Sequence, residues 1–275
     1  MGSLTVRRLL VDLETPFERH WNGGDAFRTA FFNALSMSFP VGEQFFIDSL
    51  RKGVKSMSPE QRAVFDEAVQ GFVGQEATHR RVHALFNEQL ARQGCVNTWE
   101  VRARSRIRRF DAILDPRHAV AATAATEHFT AILAEHLLVH PQVLEGAEPR
   151  LKTMWLWHAS EEAEHRSVAF DVYRALGGSE LWRRRWMRIV ALHFTTDVLR
   201  QTARNLWEGG ELLRWRTLTS AVRFFFGEHG LVRHTFRPWR DYFKASFHPM
   251  QQGGALAERW LAENDGTAFR AVAAQ

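Results

Sequence analysis

Glu76-Ala77-Thr78-His79 and Glu162-Ala163-Glu164-His165 are two copies of one short pattern, and each follows a lone glutamate, Glu43 in the first case and Glu127 in the second. The lone glutamate stands 33 residues before Glu76 and 35 before Glu162. Positions i and i+3 of an α-helix project from nearly the same face, so a Glu and a His at that spacing can grip one ion together. Two helices that each supply a Glu, and two that each supply a Glu-x-x-His, form the ligand set of a two-metal site inside a four-helix bundle. With 21 Glu and 13 His in 275 residues, about one Glu-x-x-His is expected by chance. Two copies, each with a glutamate a helical hairpin upstream, are much rarer.

Local composition sharpens this. The four glutamates sit among apolar or small neighbours: Phe45 and Phe46, Phe72 and Val73, Ala124 and Ala125, Trp155 and Val168. Packed together, such faces bring several carboxylates into a low-dielectric interior, where unpaired like charges cannot all stay ionised. Divalent cations resolve the conflict, and carboxylate with imidazole suits iron or manganese. The expected ligands are Glu43, Glu76, His79, Glu127, Glu162 and His165. They would hold two metal ions: iron first, with manganese or a mixed iron–manganese pair as alternatives. Glu161, four residues before His165, competes with Glu162 for its role. Three residues are candidates for contacts behind the ligands: His83 one turn after His79, His158 one turn before Glu162, and Glu135 two turns after Glu127. A packed histidine and a surface glutamate are the competing readings.

Outward from these motifs the chain reads as all-α. Phe27, Ala30, Phe31 and Ala34 recur at helical spacing after an irregular arm over residues 1–24. Pro40 and Gly42 predict a kink, or two short helices, just before Glu43. Ser58-Pro59-Glu60-Gln61 is a helix start that should run to about Arg92 and stop at Gly94. Asp115-Pro116 starts another helix, through the small-sided run Ala119–Thr126 to Pro141. A fourth runs from Pro149 to Gly177-Gly178. No strand pattern with flanking turn signals is visible. Residues 25–93 and 116–176 read as a loose duplication of one helical hairpin. The expected organisation is the arm, a four-helix bundle over 25–178, and a helical extension over 179–275 that ends in a short helix and a frayed tail.

That extension is rich in tryptophan and arginine. Within it, residues 180–250 hold Trp182, Trp186, Trp207, Trp215 and Trp239, half of the chain's ten tryptophans. Its helices either cover the bundle, with arginine stems packed on aromatics, or lie at a membrane surface, where Trp and basic residues favour anionic headgroups. The formal charge of +5 and pI near 9.9 fit the second idea as well as a nucleic-acid binder. Nucleic acid is not expected, because the arginines alternate with core-type aromatics and no binding motif is present. The single cysteine, Cys95, rules out an internal disulfide and any cysteine-built metal site. No signal peptide, myristoylation signal or membrane span is evident, so a cytoplasmic protein is expected, with a peripheral place at the inner face of the membrane as the further option. A homodimer is left open.

The residues also carry a resemblance. Phe39-Pro40-x-Gly42-Glu43-x-Phe45-Phe46, Gln75-Glu76-x-x-His79, Thr126-Glu127-His128-Phe129-Thr130-Ala131, Trp157-His158-x-x-Glu161-Glu162-x-Glu164-His165 and Tyr242-Phe243-x-x-x-Phe247-His248-Pro249 resemble the bacterial family of predicted metal-dependent hydrolases. The resemblance covers roughly residues 25–250 and implies a ferritin-like metal-binding core.

Two adjacent metals with labile carboxylates suit dioxygen activation. The leading expectation is therefore an O₂-dependent oxidase or oxygenase, needing O₂ and an electron donor. Its hydrophobic, acyl-like substrate would lie in a channel lined by Phe46, Phe72, Ala124 and Phe129. Hydrolysis through a metal-bridging water is the alternative, and non-enzymatic metal storage is a third reading.

Overall fold

The computed structural model describes residues 4–111 and 115–272. Helices dominate it. Four of them carry the motifs: α1 (Ala26–Lys55), α2 (Pro59–Arg92), α4 (Pro116–Val139) and α5 (Pro149–His165). The connector α3 (Thr98–Asp111) links the hairpin α1/α2 to the hairpin α4/α5. After α5 come α6 (Val168–Ala175), α7 (Glu180–Glu208), α8 (Trp215–Phe226), α9 (Leu231–Asp241) and α10 (Ala255–Asn264).

The start signals act as their chemistry requires. Asp25 caps α1 by accepting from the Arg28 N–H at 2.9 Å. Ser58 and Gln61 form a reciprocal capping box at α2, with Pro59 in the first helical position. Asp115 caps α4 ahead of Pro116.

Pro40 does not break its helix: α1 runs through it as one element of 30 residues. A helical proline leaves the carbonyl four residues earlier without its usual donor and crowds the local turn. Here the Ser36 carbonyl accepts from the Asn87 side chain at 2.9 Å, and the Met37 carbonyl from Asn97 at 2.7 Å. Asn87 thus supplies the one donor that Pro40 removes, and Asn97 adds a bond at the next carbonyl. The fourth motif helix behaves in the opposite way. It stops at His165, and α6 begins only after Arg166 and Ser167.

The arm over residues 1–24 and the C-terminal tail also depart from expectation. Arg7–Leu9 form β1, paired antiparallel with β2, Phe269–Ala271. The segment before β1 crosses α2 where Gly71 and Gly74 leave room. A Cβ on Gly71 would stand 2.6 Å from Leu4 Cβ, and one on Gly74 would stand 2.4 Å from a Val6 methyl. The last residues, 273–275, lie outside the described ones.

The extension packs on the bundle. Its helix α7 lies against α1 and α4. Buried Asp197 on α7 pairs with Arg102 and Arg106 of α3. The Gln201 carboxamide accepts from the Thr98 and Trp99 N–H groups, which cap α3. Buried Arg183 donates to the carbonyls of Tyr242 and Lys244 and stacks 4.7 Å from the Tyr242 ring. Tyr242 and Phe247 in turn pack on His128 of α4, and His248 meets Asp171 of α6 at 2.8 Å. No described helix is long and apolar enough to cross a membrane.

Candidate metal centre

Each motif helix delivers its residues to the space between the two hairpins. Glu43, Glu76, His79, Glu127, Glu162 and His165 are all buried. One nitrogen or oxygen of each of Glu76, His79, Glu162 and His165 lies within 4.8 Å of the others. Nδ1 of His79 is 3.7 Å from Glu162 Oε1, and Nε2 of His165 is 3.4 Å from Glu76 Oε1. Glu127 faces the other nitrogen of His165, with Nδ1 at 2.8 Å from its Oε2.

Glu43 groups differently. Its carboxylate converges with His83 and His158 within 4.8 Å. The two groups touch through Glu162, whose Oε1 is 3.1 Å from His158 Nε2. Both histidines are thus brought to the centre itself, where the sequence placed them behind it. Their rings continue outward in a chain: His158 Nδ1 to His83 Nε2 at 2.9 Å, His83 Nδ1 to the Ser36 hydroxyl at 2.9 Å, and Ser36 to Asn87 at 2.8 Å. Glu135 is elsewhere: its carboxylate accepts from the Gly254 N–H at 3.3 Å and lies against Gly253. The residue two turns beyond Glu127 points off the α4 face that meets the centre.

The neighbouring carboxylates Glu161 and Glu162 separate by direction. Glu162 turns toward the cluster. Glu161 meets the outer nitrogen of His79, Nε2, at 2.8 Å. Arg7 of β1 then donates to Glu161 at 3.1 Å and to Glu164 at 2.6 and 2.9 Å, and Gln75 donates to Glu164 at 2.9 Å. A carboxylate behind a ligating imidazole fixes its tautomer and raises its basicity. Sequence reading missed Arg7. It lies 154 residues from Glu161, in a segment without helical periodicity, and no local pattern marks it.

The electrostatics show what the cluster lacks. Burial pushes Glu43 and Glu76 well above the usual carboxylate range, and the neighbouring glutamates push them further. Burial raises Glu127 to about 7 against the opposing pull of His165, and raises Glu161 to about 8 against Arg7. Burial holds His79 and His83 well below the ordinary imidazole value. For His165, burial also pulls down, but Glu127 and its hydrogen bond win and lift it to about 9.

Many of the donor atoms here make no hydrogen bond among the described residues: both oxygens of Glu43 and of Glu76, Glu127 Oε1, Glu162 Oε2, His79 Nδ1, His158 Nε2 and His165 Nε2. A natural interior leaves few buried polar atoms unpaired, and each such atom is costly. A cluster of them, all carboxylate or imidazole and all aimed at one space, fits cations held by hard oxygen and borderline nitrogen ligands.

A family model described as predicted metal-dependent hydrolase matches residues 5–253. The chain belongs to this family. No curated protein and no solved structure matches it. Membership of the family and the orphaned donor set agree on metal dependence.

Two small cavities reach the centre. One of about 150 Å³ touches Glu43 and is walled by Phe39, Phe46, Trp99, Val190 and Phe194. The other, about 50 Å³, touches Glu162 and His158 and is walled by Phe32, Leu35, Trp155 and Leu231. Of the expected channel residues, Phe46 lines the first. Phe72 is instead fully packed, edge-on to His165 at 4.9 Å between ring centres. Ala124 is core, and Phe129 packs on Phe194.

Proposed function

We propose that the protein is a metal-dependent hydrolase that cleaves a carboxylic ester or amide with an apolar acyl part, using a two-metal centre. The supporting observation is the convergence of buried, hydrogen-bond-orphaned Glu76, His79, Glu162 and His165, joined through Glu162 to Glu43 and His158. The family description points the same way. This favours the reaction that the sequence ranked second.

When bound, such cations acidify water and polarise an acyl oxygen. Glu76, His79, Glu162 and His165 would hold one ion, and Glu43 with His158 would contribute to the other; Glu127, expected as a ligand, would instead support His165 from its Nδ1 side. Glu161 and Arg7 keep His79 oriented. The chain His158–His83–Ser36 carries a proton between the centre and the Asn87 side of α2. The apolar walls exclude bulk water and select the acyl part of the substrate.

A second reading is O₂-dependent oxidation. It is favoured by the carboxylate-rich donor set in an apolar enclosure, a set suited to iron or manganese. One experiment separates the two. Metal-loaded protein is offered acyl esters of graded chain length with and without oxygen. The hydrolytic reading expects turnover indifferent to O₂ and lost in Glu76→Ala. Oxygen uptake with no ester or amide turnover would replace it by the second reading.

A surface location is also proposed. On α8, Trp215, Leu218, Val222 and Phe226 form one exposed stripe, with Trp215 76% and Phe226 70% accessible. Arg214, Arg216 and Arg223 flank it and are exposed. A short amphipathic helix with this composition suits an anionic lipid surface, and such a surface would present acyl substrates.

A further inference from the structure

A second histidine cluster stands apart from the buried centre, where the end of α4 meets α9. His140 caps the C-terminus of α4, His229 sits in the turn after α8, and His234 is in the first turn of α9. Each offers one ring nitrogen within 4.8 Å of the other two. Nε2 of His140 and Nδ1 of His234 are 3.3 Å apart. That is long for a hydrogen bond between two nitrogens. It matches the edge of about 3.3 Å in a tetrahedron built on metal–nitrogen bonds of about 2.0–2.1 Å.

The surroundings prepare those nitrogens. Nε2 of His234 faces the Glu228 carbonyl at 3.4 Å, a weak contact; a proton on Nε2 leaves Nδ1 its lone pair. The Gln142 carboxamide lies 3.3 Å from His140 Nδ1. It is the amide nitrogen that faces the ring, so Gln142 as placed donates to Nδ1; a metal bound through His140 Nε2 requires the carboxamide to flip and accept from Nδ1–H, an exchange that its two similar ends allow. The His229 ring stacks on His140, with centres 4.9 Å apart. His136 Nε2 donates to the His229 carbonyl at 3.0 Å and fixes the turn that carries it. Burial and the two neighbouring imidazoles lower the pKa of His140 from its ordinary value.

We propose that His140, His229 and His234 bind a divalent transition cation, with Zn²⁺ the best fit to their geometry. Three imidazoles leave a fourth position for water. His140 and His234 also line a separate cavity of about 180 Å³. The ion would tie the first turn of α9 to the end of α4. Leu231, in that same turn, walls the 50 Å³ cavity at Glu162. The ion would thus hold one side of the approach to the centre in place.

The test uses full-length protein with its buried centre loaded and free metal removed. Zn²⁺ is titrated against a chromophoric chelator, and hydrogen exchange over residues 227–236 is followed. Wild type should take up one further Zn²⁺ per chain at micromolar concentration or below, and exchange in that segment should slow at least tenfold. The double variant His229→Ala/His234→Ala should take up none, yet keep its buried metals and its Tm, because both side chains are exposed. His234→Asn alone, with the smaller perturbation, should weaken uptake at least tenfold. Equal uptake by wild type and variants, or uptake by wild type only at millimolar Zn²⁺, would overturn the proposal.

Discussion

Glu161 binds the outer nitrogen of His79 at 2.8 Å, on the side of the ring away from the cluster. This pairing decides which nitrogen of His79 faces Glu162. It also ties the centre to β1, because Arg7 holds Glu161. Glu161→Gln should therefore keep all the proposed ligands and still lower metal affinity about 10- to 100-fold. Chelator competition measures it. An affinity equal to wild type would show that Glu161 is a bystander.

Glu76 should have opposite effects on the two forms of the protein. Without metal it is a buried carboxyl crowded by Glu127, Glu162 and Glu43. Glu76→Gln removes that repulsion and keeps the shape. The metal-free Tm should rise, while the variant retains fewer metals and its loaded Tm falls below wild type. Metal analysis paired with calorimetry gives both readings; a fall in both Tm values would mean that Glu76 is ordinary core.

Metal-free protein should weaken as pH rises from about 6.5 to 9. Glu127 at about 7 and Glu161 at about 8 keep protons in the fold that the unfolded chain has already released. His165, raised from 6.5 to about 9, contributes stability that is full below 6.5 and lost as pH climbs through 9. All three signs agree. His79 and His83, held low, reduce stability only as pH falls below 6.5. A drop in Tm of at least about 3 °C between pH 6.5 and 8.5 is expected without metal, and a smaller one with it. A flat metal-free profile would mean that these groups are solvated.

The stripe on α8 makes a separate prediction. Trp215→Glu/Phe226→Glu changes two exposed positions and should leave Tm within about 1 °C. It should abolish co-sedimentation with vesicles of anionic lipid that wild type shows. Sedimentation of both proteins, or of neither, rules out a lipid-facing role.

How much the sequence revealed depended on range. Ser58-Pro59 and Asp115-Pro116 start helices where local capping chemistry says they should, and Pro149 starts one by its fixed φ alone. Glu-x-x-His spacing is also local, and its four residues converge. The two short helices expected around Pro40 are one, because the donor that replaces its missing N–H, Asn87, comes from a neighbouring helix. His83 and His158 looked like packed histidines; only the approach of Glu43 across the bundle changes that. The strand pair was invisible because three residues at each end of the chain carry no periodicity worth reading.

Gly71 and Gly74 let the segment before β1 lie flat on α2, and β2 clasps β1 from far along the chain. The register Arg7 with Ala271 fixes when this latch can close during synthesis. A ribosome must finish residue 271 before the guanidinium that steadies Glu161 is fastened. Fastening of the centre therefore waits until residue 271 has been made, and a nascent chain stalled earlier would expose its carboxylates to whatever ion arrives first.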